Sequence, residues 1–369
     1  MQKRRKYVKL FILIATLMTC VNVYSQQTIS TGVPFLLIGP NSRFAAMGET
    51  GTAIADDATA MHWNPAGLAF QKDKTEFNLT HSPWLAGLGL SDLFYDYLAA
   101  KRYFPSLKGT IGFSFTYLNI GEIIYTNEIG QTDESKNYKA YEFATAFAYS
   151  TQLTQQIGVG VTTRFIYSRL SPNDVQVGNE KGRGTAFTVS FDLAMLYKAM
   201  SGPKLLKDKF SFGLNLSNLG PKISYVDAAQ ADPIPTQLRF GVGYKLLKND
   251  YNDLTITADF SKLLVNRYND GTSDAFYQAI FTSWKGGING IAKTFQSSVG
   301  AEYWYGNPRL IAIRAGYFYE DPSNGNRKFI TLGAGIRYSN YGFDFSYINA
   351  VEENHPLANT LRFGLIVSF

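Results

Sequence analysis

The chain closes on an alternating run that ends at Phe369. Leu361, Phe363, Leu365, Val367 and Phe369 take every second position, and Thr360, Arg362, Gly364, Ile366 and Ser368 fall between them. A strand repeats every two residues, so the first set shares one face and the second shares the other. One mostly apolar face, one mostly polar or small face and a terminal aromatic describe a strand with lipid on one side and water on the other. Such a strand closes a transmembrane barrel, and this fixes fold, compartment and solvent together.

The opposite end agrees. Lys3, Arg4, Arg5, Lys6 and Lys9 form a basic start, Leu10 to Met18 an apolar stretch, and Val23-Tyr24-Ser25 supplies short residues for cleavage. Residues 1–25 read as a secretory signal peptide, too short for a membrane helix. Cys20 hints at lipoprotein processing, but Leu17-Met18-Thr19 fits that pattern poorly. The formal charge is +6. The leader holds five positive and no negative residues, so the expected mature chain carries 6 − 5 = +1. The electrostatic footprint of nucleic-acid binding leaves with the leader. Cys20 is the single cysteine, so the mature chain is expected to hold no disulfide and no thiol chemistry.

Only 17% of residues are charged and 15% are aromatic, against about 25% charged in soluble domains. After the leader no run of about 18 apolar residues occurs, so membrane embedding must come from a closed barrel. From residue 71 onward, period-two segments recur between turn-rich connections. Fourteen are expected, near 75–82, 94–103, 110–119, 139–150, 156–168, 184–197, 209–219, 236–247, 253–264, 297–305, 309–319, 328–338, 341–348 and 359–369. One places Ile111, Phe113, Phe115 and Tyr117 opposite Gly112, Ser114 and Thr116. Charges fall on the small, polar face: Glu142, Arg164, Asp192, Arg239, Asp259, Glu302, Arg314, Arg337, Asp344 and Arg362. A lipid-facing Arg or Lys at mid-membrane costs about 2–4 kcal/mol, so these belong in the lumen. Connections alternate between short and long, as periplasmic turns and outer loops do. A soluble β-sandwich would accommodate the leader but not the aromatic terminus, the even strand number or the loop asymmetry. The fold class is therefore all-β: a fourteen-stranded antiparallel transmembrane β-barrel over 71–369, in the bacterial outer membrane.

Residues 26–70 do not alternate. Ser42 is suited to cap a short helix ended by Gly48, Asp56 or Asp57 to cap a second, and Asn64-Pro65 to start a third. Short turns rich in Ala and Gly fit a narrow space, and a lumen plug over 26–70 is the expected place for them. Met47-Gly48, Gly51-Thr52-Ala53, Asp56-Asp57-Ala58 and Trp63-Asn64-Pro65-Ala66-Gly67-Leu68 resemble the N-terminal hatch of the FadL-like superfamily of outer-membrane barrels, and within it the PorV/PorQ branch. The plug motif is then Gly48, Asp56, Asp57, Asn64, Pro65 and Gly67. The resemblance implies fourteen strands with a hatch and a role in type IX protein secretion. The implied partners are an SprA/Sov-type translocon barrel, the C-terminal signal domains of secreted cargo and a surface attachment complex. FadL-type relatives instead pass long-chain fatty acids or other hydrophobic molecules, which is the alternative function.

Two outer segments are unusually apolar. One is Pro83 to Leu90, with Trp84 and Leu88; the other is Ser273 to Trp284, where Phe276, Ile280 and Trp284 recur every fourth residue. Ser273 and Gly286-Gly287 suit the ends of a short helix. Exposed apolar surface marks contact sites, so Trp84, Leu88, Phe276, Ile280 and Trp284 are candidate partner-binding residues. They serve equally as residues folded over the barrel mouth or resting at the lipid interface. No enzyme is expected. His62, His81 and His355 lack metal-ligand spacing, and no Gly-x-Ser-x-Gly or phosphate loop occurs. No cofactor or metal is expected. Outer-membrane lipid is an expected partner and nucleic acid is not.

Overall fold

A computed structural model describes residues 30–85, 92–127, 129–171, 175–177, 180–182, 184–226, 230–352 and 357–369. The expected leader, Cys20, Leu88 and His355 lie outside the described residues.

Fourteen antiparallel strands close into one barrel. In chain order they are β1 Glu76–Pro83, β2 Phe94–Phe104, β3 Gly109–Ile123, β4 Tyr138–Gln152, β5 Ile157–Arg169, β6 Thr185–Lys198 and β7 Phe210–Leu219. They continue as β8 Gln237–Lys248, β9 Asn252–Leu263, β10 Phe295–Tyr305, β11 Ile311–Tyr319, β12 Lys328–Tyr338, β13 Tyr341–Ala350 and β14 Thr360–Ser368. Each strand pairs with its sequence neighbours, and the seam joins β1 to β14, with Phe77 opposite Val367 and Leu79 opposite Leu365. Beyond the ladder, Thr75 and Phe369 exchange backbone hydrogen bonds of 3.1 and 2.9 Å. The closed ring leaves no sheet edge, which is what lipid demands of a strand structure.

Alternation sorts the side chains as expected. Phe187, Leu193, Ile313 and Leu332 are exposed on the outer wall. Glu142, Asp192, Asp259, Glu302, Arg314, Asp344 and Arg362 are buried within. The links 105–108, 153–156, 199–209, 249–251, 306–310 and 339–340 gather at one end, and the longer 84–93, 124–137, 170–184, 220–236, 264–294, 320–327 and 351–359 at the other. The short-turn end is the periplasmic one in barrels of this class. The link after β5 carries a small hairpin, Val175–Val177 with Glu180–Gly182, which no alternation in the sequence announces. Among the described residues no helix is long and apolar enough to cross a membrane.

The lumen holds residues 33–70. Pro34–Leu37 is a 3-10 turn, α1 spans Ser42–Ala45, α2 spans Ala60–Trp63, and Pro65–Phe70 is a second 3-10 turn. The segment runs from the long-loop end, where Val33 and Phe35 pack with Tyr95, Tyr97, Ile223 and Ile234, down to the short-turn end where β1 starts. Two capping expectations need correction. Ser42 lies inside α1 after Asn41, and its hydroxyl has no hydrogen-bond partner among the described residues. Asp57 does accept the Thr59 backbone N–H at 2.9 Å, but the helix itself begins at Ala60 after an uncapped Thr59. Asp56 turns to Arg43. A carboxylate beside a buried guanidinium gains more from the charge than from one backbone N–H.

Candidate functional site

The site with the most chemistry is the contact between plug and wall. Arg43, the one charge on α1, is buried. Its guanidinium forks onto Glu302 of β10, with Nε to Oε1 at 2.8 Å and Nη2 to Oε2 at 2.7 Å. Its Nη1 donates to Asp57 at 2.9 Å and to Asp56. Glu302 also accepts from Arg314 Nε at 2.8 Å, its cross-strand partner on β11. Arg314 reaches Asp344 of β13 at 2.8 Å, and Asp344 accepts from Arg337 of β12 at 2.7 Å. Signs alternate along the whole chain of contacts, so each buried charge has an opposite neighbour, as burial requires. Burial opposes the charge on Arg43, yet the carboxylates of Asp56, Glu302 and Asp57 hold its pKa well above the ordinary value. Burial also raises Asp56, but Arg43 and then Arg309 outweigh it, and its pKa is held below the ordinary value.

Further hydrogen bonds fix the plug elsewhere. Asp259 of β9 accepts from the backbone N–H groups of Gly51 and Thr52 at 2.9 Å each and from the Thr52 hydroxyl at 2.6 Å. The Gly48 N–H donates to Thr331 of β12 at 2.8 Å. Ser150 of β4 donates to the Pro65 carbonyl at 2.7 Å, and Asn215 of β7 to the Trp63 carbonyl at 3.1 Å. Asn64 caps the second 3-10 turn by accepting from Ala66 N–H at 3.1 Å, with Pro65 at its first position. Its amide donates to the Thr52 carbonyl at 2.8 Å and the Met195 carbonyl at 3.0 Å, so one side chain serves local turn, plug and wall.

Two motif glycines have steric reasons. Gly48 adopts φ +68°, a left-handed conformation that disfavours a side chain, and a Cβ there would lie 2.7 Å from the Tyr317 carbonyl oxygen. At Gly67 a Cβ would lie 2.1 Å from the Ala55 carbonyl oxygen. His62 packs edge-on to Trp63 at 4.9 Å. Burial, with Arg239, Arg164 and Arg362 nearby, lowers its pKa well below the ordinary value and leaves it a neutral packing group. Among the described residues no group of three or more His, Cys, Asp or Glu is placed to hold a metal ion.

The plug leaves a cavity at each end. The long-loop cavity is about 530 Å³ and is lined by Leu37, Ile38, Trp84, Phe329, Arg327 and Arg362, among others. The short-turn cavity is about 420 Å³ and holds Arg43, Asp56, Asp57, Arg309 and Arg337. Between them Phe44, Met47 and Trp63 form a fully buried cluster. Of the contact candidates, Trp84 is half-buried in the outer mouth, 6.1 Å from Tyr95 and under the Arg362 guanidinium at 5.9 Å. Phe276 and Ile280 are half-buried on α3, Phe276–Thr282, and Trp284 just past it is part-exposed. Tyr277, Phe281 and Ile288, which the every-fourth-residue pattern passed over, are more exposed than any of them.

A closed fourteen-stranded wall around a bonded N-terminal plug defines the class: a plugged outer-membrane β-barrel. Two solved toluene transporters have a similar fold. TbuX of Ralstonia pickettii aligns with a TM-score of 0.52 at 14% identity, over 90% of this chain and 98% of its own. TodX of P. putida aligns with a TM-score of 0.52 at 12% identity, over 89% and 97%. At such identity the likeness is one of fold. No curated protein sequence shows a significant match. A family model described as "Type IX secretion system protein PorV" matches residues 22–270, and the chain belongs to that family.

Proposed function

We propose that this chain binds the C-terminal signal domain of secreted cargo at an SprA/Sov-type translocon barrel and carries it to the surface attachment complex. Family membership supports a place in type IX secretion. The observation that carries the reading is the filled lumen. A plug tied to nine strands by charge and hydrogen bonds suits a barrel that works through its surface rather than its bore. Protein contacts concentrate their energy in a few aromatic and apolar anchors. The candidates are Trp84, Leu88, Phe276, Ile280 and Trp284, all in the long-loop set.

The outer cavity favours one second reading, a transporter of long-chain fatty acids or other hydrophobic molecules. The apolar part of its lining, Leu37, Ile38, Trp84 and Phe329, and the two toluene transporters of like fold support that alternative. Deletion of the whole protein separates the two. The secretion reading expects cargo trapped in the periplasm, and a giant barrel with cargo co-purifying with the native protein in mild detergent. Normal secretion after deletion ends it. Normal secretion with lost uptake of a hydrophobic nutrient establishes the transporter.

A further inference from the structure

The link between β9 and β10 folds down against the outer wall. Lys262 faces outward on β9, on the same face as Phe260, yet it is 1% exposed where Phe260 is 37% exposed. The cover comes from this link. The Lys262 ammonium donates to the Thr294 hydroxyl at 2.7 Å and lies 5.4 Å from the Trp284 ring. Trp284 in turn sits 6.2 Å from Phe295, Phe295 6.0 Å from Phe240, and Phe240 5.3 Å from Phe260. Phe240, Phe260 and Phe295 belong to the lipid-facing side of β8, β9 and β10, since each pairs in register with an outward neighbour. An unbroken aromatic path therefore runs from the membrane wall into the link.

The link's two helices, α3 and α4 (Gly287–Lys293), present a second apolar face away from the wall. Tyr277 is 60% exposed, Phe281 79% and Ile288 86%. Tyr277 and Phe281 lie one turn apart on α3, and Ile288 lies on α4 beyond the left-handed Gly286 and Gly287. From Phe276 to Lys293 the segment has two lysines, Lys285 and Lys293, and no carboxylate; the Lys285 ammonium donates to Asn266 Oδ1 at 2.9 Å and lies 4.8 Å from the Tyr268 ring, so it adds charge to the link rather than a free arm. Apolar side chains beside cations describe an element that lies in a membrane interface, with its apolar face among acyl chains and its cations at anionic headgroups.

We propose that α3 and α4 form an interfacial anchor whose occupant is the outer leaflet itself, with Phe281 and Ile288 in its acyl region and the segment's net positive charge toward its phosphates. Continuity with the lipid-facing wall decides for lipid over a protein partner. The anchor also explains the sheltered Lys262: near the interface, a wall cation is covered by an aromatic ring and a hydroxyl rather than left facing lipid.

Spin labels at single cysteines, in a Cys20→Ser background, test this with the full barrel in vesicles of phosphatidylethanolamine and phosphatidylglycerol. Gly271, at the exposed tip of the same link, gives the aqueous reference, and Val299, on the lipid-facing wall, gives the apolar one. Labels at Phe281→Cys and Ile288→Cys should be accessible to oxygen and shielded from a water-soluble nickel complex, as at Val299. Accessibility like that of Gly271 would overturn the anchor. So would aqueous accessibility that disappears only when a protein partner is added, which would make the face a protein-docking site. Exchanging phosphatidylglycerol for phosphatidylcholine should shift both labels toward water; unchanged depth would remove the electrostatic part of the proposal.

Discussion

Arg43 is one positive charge among three carboxylates, Asp56 and Asp57 of the plug itself and Glu302 of the distant β10. Replacing it with Met would leave Asp57 buried without its cation and Glu302 with Arg314 alone; breaking a buried pair costs about 3–5 kcal/mol. The measurement is thermal unfolding in detergent, and a clear fall in midpoint is expected. Arg43→Lys should fall between the two, because a point charge cannot make the two-pronged bond to Glu302. Acid should expose the same contact. The folded-state pKa of Asp56 is depressed, so its contribution is present above the unfolded value and is lost as pH falls through the lower folded one. Wild-type stability should therefore persist to below the ordinary carboxylate range, and Arg43→Met should lose stability at higher pH. Sequence reading placed Asp56 and Asp57 in the motif but missed Arg43 as their partner. A lone cation in a small, apolar helix was the available signal. Its partner on β10 was not legible, because pairing across distant chain positions leaves no local pattern.

Strands were the elements most open to reading. Each wall residue meets either lipid or lumen, so the period-two pattern is enforced along the whole length, and the expected segments fall within a few residues of the observed ones. The link between β9 and β10 was less legible. A helix with apolar residues on both sides does not reveal which side meets the wall, and the stripe of Phe276, Ile280 and Trp284 hid the freer face. The closing strand carries a prediction of its own. Phe369 bonds Thr75 across the seam through its backbone, while its ring lies 6.5 Å from Phe77 on the outer wall. Phe369→Asp puts a charge on that wall at the seam, so the fraction of assembled barrel should fall. Heat-modifiable migration on gels reads this directly, and normal assembly would contradict it.

For the whole molecule, loop asymmetry sets a direction across the membrane. Single cysteines at Asn127, Gly271 and Asn324 should react with an impermeant thiol reagent on intact cells, and those at Asn249 and Asn340 should not. Labelling of the second pair would reverse the orientation. Removing residues 42–68 should let the folded barrel conduct ions, because the buried Phe44, Met47 and Trp63 between the two cavities go with them. Unchanged conductance in an inserted barrel would mean that another element seals it. The tightness of the plug against its wall has a further consequence, for assembly. A Cβ at Gly213 would stand 2.0 Å from the Thr52 carbonyl oxygen, and one at Gly316 2.1 Å from the Met47 carbonyl carbon. Only glycine lets wall and plug backbone come so close, which leaves little room for a finished cylinder to admit its filling. The sheet is expected to be wound around the plug like staves around a former, with the β1–β14 seam shutting last.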